Sequence, residues 1–221
     1  MAEVISGRII VDDGEVVGRV HVGDDGRIAA IEPDGLAPVD ALVLPGFIDV
    51  HVHGWGGHDA MGGSEALSGM ARALAARGVT SFLPTSVTAS FEKLTVLADS
   101  VREWMPGAPA DGAEPLGFNM EGPFLAEQKK GAHPADLLRH PEDLDDERLA
   151  TFIEGLRVIT IAPELRGAPA LIRQLAARGV RVSLGHSAAT VPESRAGYAA
   201  GAVSTTHLFN AMSGVIHRHP G

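Results

Sequence analysis

Short apolar runs alternate with turn signals over the first 43 residues of the chain. Pairs and triplets of Val and Ile recur at residues 4–5, 9–11 and 16–17, and the dipeptides Asp13-Gly14 and Asp25-Gly26 punctuate this part of the chain. β-Branched runs separated by Asp-Gly are typical of β-hairpins. The pattern therefore predicts a small N-terminal β domain over residues 1–43. Because this segment is too short to bury both of its faces, we expect it to pack on a partner.

Beyond residue 43, near-continuous apolar runs alternate with Ala-rich helical stretches. The predicted strands are residues 42–50, 79–84, 116–120, 158–162, 180–184 and 202–206. The predicted helices are residues 64–77, 90–105, 145–155, 168–178 and 192–200. Gly78 and Gly179 directly follow two of these helices, where glycine is a typical terminating residue. Repeated strand–helix units of this kind predict a parallel sheet covered by helices.

Polar residues at the strand ends distinguish a barrel from an open doubly wound sheet. His51 and His53 follow the first strand, Glu121 the third, His186 the fifth and His207 the sixth. In a barrel these ends face a common mouth, whereas an open sheet would separate the side chains. No Gly-rich phosphate loop follows the first strand to support the open sheet. We therefore predict an α/β chain in which residues 44–221 form an incomplete TIM (β/α)₈ barrel of the metal-dependent hydrolase type, with about six strands.

The amino-acid composition excludes several classes of protein. The chain has no Cys, which excludes a disulfide scaffold, a Cys-ligated zinc site and a cysteine nucleophile. Its 18 basic and 28 acidic side chains give a net charge of −10, which argues against a nucleic-acid or membrane-surface partner. We expect neither a membrane span nor a signal segment, because no apolar run is long enough to span a membrane and no basic-then-apolar pattern is present at the start. We expect a soluble, cytoplasmic protein.

The residues at the strand ends have the chemistry of a metal site. Residues i and i+2 of an extended chain point the same way, so His51 and His53 can converge on one ion, although an isolated pair of this kind is as often two surface histidines. Histidine and carboxylate ligands without Cys are typical of a catalytic Zn²⁺ or Fe²⁺ site. Such a metal activates water and polarises a carbonyl, which suits hydrolysis of an amide.

Five motifs resemble a known family. Residues 45–54 (PGFIDVHVHG) resemble the opening motif of the amidohydrolase superfamily. The other four motifs are similar to those of the N-acetylglucosamine-6-phosphate deacetylases within that superfamily: residues 121–125 (EGPFL), 129–133 (KKGAH), 185–187 (GHS) and 206–212 (THLFNAM). The resemblance implies hydrolysis of the acetyl group of N-acetylglucosamine 6-phosphate in amino-sugar catabolism. It also implies that residues 1–43 are part of a β-sandwich.

The resemblance assigns metal ligands residue by residue. Glu121, His186 and His207 match the principal ligands of the family. His51 and His53 match the positions that complete a second site in members with two metals. The implied cofactor is a divalent metal, Zn²⁺ or Fe²⁺, with one or two ions.

The resemblance also assigns substrate contacts. Ala132 and His133 match the loop that contacts the sugar and the acetyl carbonyl, and Asn210 and Ala211 match a substrate-binding pair. Arg218 matches an arginine that binds the substrate phosphate across a dimer interface, which implies a homodimer. A guanidinium suits this role because its fork of donors fits phosphate oxygens.

One functional group of the family is not found in the sequence. Its catalytic base is an Asp after the eighth strand, which would lie beyond Gly221, so no catalytic base is assigned in this chain. We expect a C-terminally truncated chain with unpaired strand edges, inactive alone, unless another chain supplies the missing strands. The alternatives are another amidohydrolase, such as a cyclic-amide hydrolase or a deaminase, and a non-catalytic metal-binding remnant.

Two smaller expectations concern residues near the site. His58 and His140 match no motif and are expected at the surface. Residues 54–57, which contain Trp55 between glycines, are expected to form a flexible loop beside the metal.

Overall fold

The computed structural model describes residues 3–218, and the chain divides into two compact units, Met1–Phe47 and Ile48–Gly221. The first unit is a four-stranded sheet in the order β3-β2-β1-β4. Its strands are β1 (Glu3–Val11), β2 (Gly14–Val22), β3 (Ile28–Pro33) and β4 (Leu42–Val43). Antiparallel pairing of β1 with β2 and of β2 with β3 confirms the predicted hairpins, and β4 joins β1 in parallel. The domain boundary at residue 43 and the β-sandwich stay predictions.

The second unit contains the predicted strand–helix repeat. Its strands are β5 (Phe47–Val52), β6 (Gly54–Trp55), β7 (His58–Asp59), β8 (Val79–Ser86), β9 (Glu114–Pro115), β10 (Phe118–Glu121), β11 (Leu156–Ile161), β12 (Arg181–Leu184) and β13 (Ser204–Thr205). Six of them form the path β13-β12-β11-β10-β8-β5, and β9 pairs with β8. These six parallel strands confirm the incomplete (β/α)₈ barrel with a small N-terminal β domain.

Five helices alternate with these strands. They are α1 (Gly63–Ala75), α2 (Phe91–Trp104), α3 (Asp146–Phe152), α4 (Ala168–Ala177) and α5 (Val191–Ala199). Ser90 and Asp145 cap α2 and α3 by accepting the backbone N–H of the residue three positions further on. Gly78 and Gly179 follow α1 and α4 with φ of +82° and +80°, the left-handed geometry that ends a helix. No helix of the described residues is long and apolar enough to cross a bilayer.

The core of this unit lies between the strands and the helices. Side chains from the strands pack against an apolar stripe on α1, α2 and α4, which is why the apolar periodicity of the sequence predicts these helices. The largest fully buried residues are Phe82, Phe118, Phe124, Phe152, Leu67, Met70, Leu94, Met120, Leu125, Leu149, Ile159 and Ile161. This packing fixes the strand positions and hence the side chains at their carboxyl ends.

The two outermost strands of the path are β5 and β13, and among the described residues each has one neighbour in the sheet. Apolar side chains next to them are exposed, including Ile48 and Val50 on β5 and Val203 before β13. Nevertheless, the rings of His51 on β5 and His207 after β13 lie 5.4 Å apart between centroids. The sheet is therefore curved as in a barrel, and its carboxyl ends converge.

Candidate metal centre

Glu121, the last residue of β10, is the centre of a ring of imidazoles. Its side chain is 2% exposed, and the Nε2 atoms of five histidines lie within hydrogen-bonding or ion-pair distance of its carboxylate. Oε1 faces His51 (3.4 Å), His186 (3.1 Å) and His207 (2.8 Å). Oε2 faces His53 (2.9 Å) and His133 (3.3 Å). All five residues that the sequence predicts as metal ligands are brought together here.

His51 and His53 reach the centre from one strand end, as the spacing predicts. Their Nε2 atoms are 3.3 Å apart and their rings are nearly perpendicular. Ligand atoms about 2.0–2.1 Å from a tetrahedral ion are about 3.3 Å from each other. The two imidazoles therefore have the separation of neighbouring ligands on one metal.

His186 and His207 reach the centre through left-handed backbone. Their φ values are +47° and +56°, a conformation that costs a non-glycine residue about 1–3 kcal/mol. Each histidine lies two positions beyond the end of a strand, His186 after β12 and His207 after β13, where the chain turns out of the sheet. Backbone strain of this kind is retained where the surrounding structure over-determines it, and here it places both imidazoles beside Glu121.

Backbone carbonyls orient two of the histidines. The Nδ1–H of His53 donates to the carbonyl oxygen of Thr85 (3.1 Å), and the Nδ1–H of His186 donates to that of Lys129 (2.7 Å). A carbonyl oxygen only accepts, so in the neutral imidazole the proton lies on Nδ1. The Nε2 lone pair then faces the centre, which is the arrangement typical of metal-ligating histidines.

His133 has the opposite hydrogen-bond pattern. Its Nδ1 accepts the backbone N–H of Thr88 (3.1 Å) and lies 2.8 Å from the Thr88 hydroxyl. Neutral His133 therefore carries its proton on Nε2, which points into the centre. Distance alone groups His133 with Glu121 and His186 as candidate ligands. The donor at Thr88 makes its Nε2 a hydrogen-bond donor instead, because a protonated nitrogen has no lone pair for a metal.

The charges of the metal-free centre support one another. Burial acts to raise the pKa of the Glu121 carboxyl, but hydrogen bonds from His133, His186, His51 and His53 lower it overall. The hydrogen bond to Glu121 raises the pKa of His53 against the opposing effect of burial. For His186, burial is the largest effect and lowers the pKa, but Glu121 and the Lys129 carbonyl raise it overall. The carboxylate is therefore ionised and attracts cations.

The contrast between the histidines gives a direct prediction. In the Zn²⁺-loaded chain, long-range ¹H–¹⁵N NMR should show His53 and His186 protonated on Nδ1 and His133 protonated on Nε2. A His133→Gln variant assigns the last signal. A His133 protonated on Nδ1 would contradict this pattern and make it a ligand.

The substrate residues expected from the sequence lie at different distances from this centre. Ala132 is exposed and precedes His133. The N–H of Asn210 donates to the His207 carbonyl (2.6 Å) within the loop that carries His207. The carbonyl of Ala211, in the same loop, accepts the N–H of Ser187 (3.1 Å), which follows His186. Arg218 is exposed, and among the described residues it hydrogen bonds to His217 and not to the ring around Glu121.

Three residues that the sequence analysis did not single out help to orient the imidazoles around Glu121. Thr85, Thr88 and Glu164 all lie at or just beyond the carboxyl end of a barrel strand. The histidines were predicted because they are polar residues near strand ends, and the same criterion could have selected these three residues. Their roles could not be predicted, because each acts through a neighbour instead of pointing into the centre.

Two local expectations are corrected. His58 is half-buried, and its imidazole packs on Gly69 of α1, where an added Cβ would lie 2.2 Å from the ring. Residues 54–59 form a small hairpin, with β6 paired to β7 through a turn at Gly56 and Gly57, in place of the flexible loop expected at residues 54–57. Both glycines have positive φ (+62° and +86°), as a two-residue hairpin turn requires. His140 is also partly buried.

The donor set fits a divalent transition metal. Glu121 forms a candidate group with His51 and His53, and the Nε2 atoms of His186 and His207 reach the same carboxylate. Imidazole nitrogen and carboxylate oxygen without thiolate are the ligands of catalytic zinc and non-haem iron. A curved half-barrel with such a centre at its carboxyl ends defines a class, the barrel proteins with a histidine–carboxylate metal site.

Comparison with known proteins identifies the family. The amidohydrolase family matches residues 42–219, and the chain belongs to this family. N-acetylgalactosamine-6-phosphate deacetylase of Escherichia coli O157:H7 is 42% identical over 203 residues, which cover 89% of this chain and 53% of that protein. N-acetylglucosamine-6-phosphate deacetylase of Vibrio furnissii is 41% identical over 213 residues, covering 91% and 53%. The chain thus spans about half the length of the curated relatives it matches.

Solved structures agree with this assignment. N-acetylglucosamine-6-phosphate deacetylase of Thermotoga maritima has a TM-score of 0.89 at 32% identity, covering 99% of this chain and 58% of that one. An Asp-to-Ala variant of the Mycobacterium smegmatis enzyme, in complex with N-acetyl-D-glucosamine 6-phosphate, has a TM-score of 0.84 at 30% identity, covering 100% and 59%. The sequence comparisons and the structure comparisons therefore give the same family and the same fold.

Proposed function

We propose that this chain provides the metal-binding part of a deacetylase that hydrolyses the N-acetyl group of N-acetylglucosamine 6-phosphate, giving glucosamine 6-phosphate and acetate in amino-sugar catabolism. The observation that carries the proposal is the convergence of five Nε2 atoms on the buried carboxylate of Glu121. The names of the relatives from Vibrio furnissii and Thermotoga maritima support the substrate.

The proposed cofactor is Zn²⁺ or Fe²⁺. Glu121, His186 and His207 would hold a first ion, and His51 and His53 would complete a site for a second. A metal held in this way polarises the amide carbonyl and lowers the pKa of water. The carbonyls of Thr85 and Lys129 keep His53 and His186 in the tautomer that this binding needs.

His133 is proposed to bind the acetyl group. Its Nε2–H, set by the Thr88 N–H, is a donor for the acetyl carbonyl oxygen, where negative charge develops during hydrolysis. Removing one such donor lowers kcat by about 10²–10³-fold in other hydrolases. Ala132, Asn210 and Ala211 would contact the sugar beside it.

The remaining roles involve groups outside the described centre. Arg218 is exposed and would bind the substrate phosphate in the site of a second copy, which makes the protein a homodimer in this proposal. The base that takes the proton from water is proposed to be an Asp outside these 221 residues. The expected location of the protein is the cytoplasm.

One observation supports a second candidate substrate. The Escherichia coli relative is named for N-acetylgalactosamine 6-phosphate, which differs from the glucosamine compound in the configuration of one hydroxyl. The metal centre and the acetyl contact would serve both sugars equally, because the amide is the same. The two candidates differ in how the sugar hydroxyls are bound.

Acetate release and calorimetry test the proposal on the 221-residue chain loaded with Zn²⁺ or Fe²⁺. We expect both sugar phosphates to bind, the preferred one more tightly, and unphosphorylated N-acetylglucosamine to bind more weakly. Because a general base contributes about 10²–10⁴-fold, turnover should be slower than in a chain that includes the Asp by this factor. Failure to bind either phosphorylated sugar would contradict the proposed substrate class. Undiminished turnover by the 221-residue chain would contradict the position of the base.

A further inference from the structure

The loop that carries His186 is held by the carboxylate of Glu164. Glu164 lies three positions beyond the end of β11, and β11 is the neighbour of β12 in the sheet. Its Oε2 accepts the Ser187 hydroxyl (2.8 Å), and its Oε1 accepts the backbone N–H of Ala188 (2.5 Å). Both donors belong to the two residues that directly follow His186.

Further hydrogen bonds fix the same loop in one conformation. The Ser187 hydroxyl also accepts the N–H of Ala189 (3.0 Å), and the Ser187 N–H donates to the Ala211 carbonyl (3.1 Å). The carbonyl of His186 accepts the N–H of Ala126 (2.9 Å). The peptide units after His186 therefore have little freedom, which accounts for the persistence of its left-handed φ of +47°.

The interaction needs both oxygens of a carboxylate. Among the described residues Glu164 forms no ion pair, so its charge acts on the two loop donors. A Gln at this position would place an NH₂ group against one of the donors and leave that donor unsatisfied. The loop would then relax towards an ordinary φ, and the His186 imidazole would move away from Glu121.

We propose that Glu164 is a positioning residue of the metal centre, which acts through the left-handed turn at His186 and sets the affinity for the metal. The proposal rests on the proposed metal site. Glu164 itself contacts neither Glu121 nor any of the five imidazoles in the hydrogen bonds described. Partners of this kind typically change metal affinity by about 10–100-fold when they are removed.

Calorimetry or chelator competition with Zn²⁺ tests the proposal on the 221-residue chain. Glu164→Gln should raise the Kd for Zn²⁺ about 10–100-fold. Ser187→Ala removes one of the two donors and should have a smaller effect, and the double variant should show less than the sum because the two residues share one interaction. A purely structural role would lower the Tm of the metal-free chain and leave the Kd of the folded chain unchanged.

Glu193→Gln is the matched control. Glu193 also accepts one backbone N–H and one hydroxyl, both from Thr190, but it caps α5 and does not contact the His186 loop. The Glu193→Gln substitution should lower the Tm of the chain without changing its Kd for Zn²⁺. A Kd for Glu164→Gln within twofold of the unmodified chain, while His186→Ala loses binding, would overturn the role of Glu164. Zn²⁺ binding that His186→Ala leaves unchanged would overturn the proposed metal site itself, and the role of Glu164 with it. If Glu164→Gln does not fold, the Ser187→Ala measurement decides.

Discussion

Replacing Glu121 with Gln is expected to lower the affinity of the chain for Zn²⁺ by at least about 100-fold, because outer partners alone account for about 10–100-fold and Glu121 is a direct ligand candidate. The carboxylate lies within reach of all five imidazoles. Gln has nearly the same shape, so the packing of β10 is preserved. What is lost is the negative charge and the second acceptor oxygen.

Glu127→Gln provides the control for this experiment. Glu127 is an exposed carboxylate in the loop that follows β10, and its removal should leave the Zn²⁺ affinity unchanged. Calorimetry together with the metal content of purified protein measures both variants. Zn²⁺ affinity for Glu121→Gln within a factor of about ten of the unmodified chain would mean that the ion binds elsewhere.

Gly122→Ala is expected to destabilise the chain by about 2–5 kcal/mol. Left-handed backbone costs an Ala about 1–2 kcal/mol, and the φ of Gly122 is +89°. A Cβ at this position would also lie 2.0 Å from the Thr88 hydroxyl and 3.1 Å from the Thr88 Cβ. Overpacking of this kind costs about 1–3 kcal/mol more.

Gly57→Ala separates the two contributions. Gly57 has almost the same φ, +86°, but an added Cβ would meet nothing within 4 Å. Both substitutions also restrict the unfolded chain, although Pro123 already restricts residue 122, so most of their difference in free energy of unfolding reports the contact with Thr88. Urea denaturation of the metal-free chain gives that difference. Equal destabilisation by both variants would show that Thr88 moves aside without cost.

The barrel could be predicted because its signals are local and repeated. Apolar runs at residues 158–162 and 180–184 lie within two residues of β11 and β12, since buried parallel strands are apolar on both faces. Helix ends at Gly78 and Gly179 could be located because the chain needs left-handed backbone there. The flexible loop expected at residues 54–57 was wrong, and the hairpin of β6 and β7 was missed because its strands are two residues long, too short for an alternating pattern.

The site could be predicted only in part. His51 and His207 follow strand ends, so barrel geometry alone brings them together. The difference between His133 and the other histidines could not be predicted, because it depends on the Thr88 N–H, which every residue type except Pro supplies. The tautomer of a histidine depends on contacts between loops that are distant in sequence, and these contacts cannot be predicted from the sequence of either loop.

The curvature of the half-barrel gives the metal a mechanical role. His51 lies on one outermost strand of the sheet path and His207 follows the other, so metal bound by these histidines together with Glu121 would link the first and last strands. A metal that binds only the folded state raises the free energy of unfolding by about 2.7 kcal/mol when the free metal concentration is 100 times the Kd. The resistance of this sheet to flattening would then depend on the free metal concentration, and a chelator would act on the shape of the protein as well as on its chemistry.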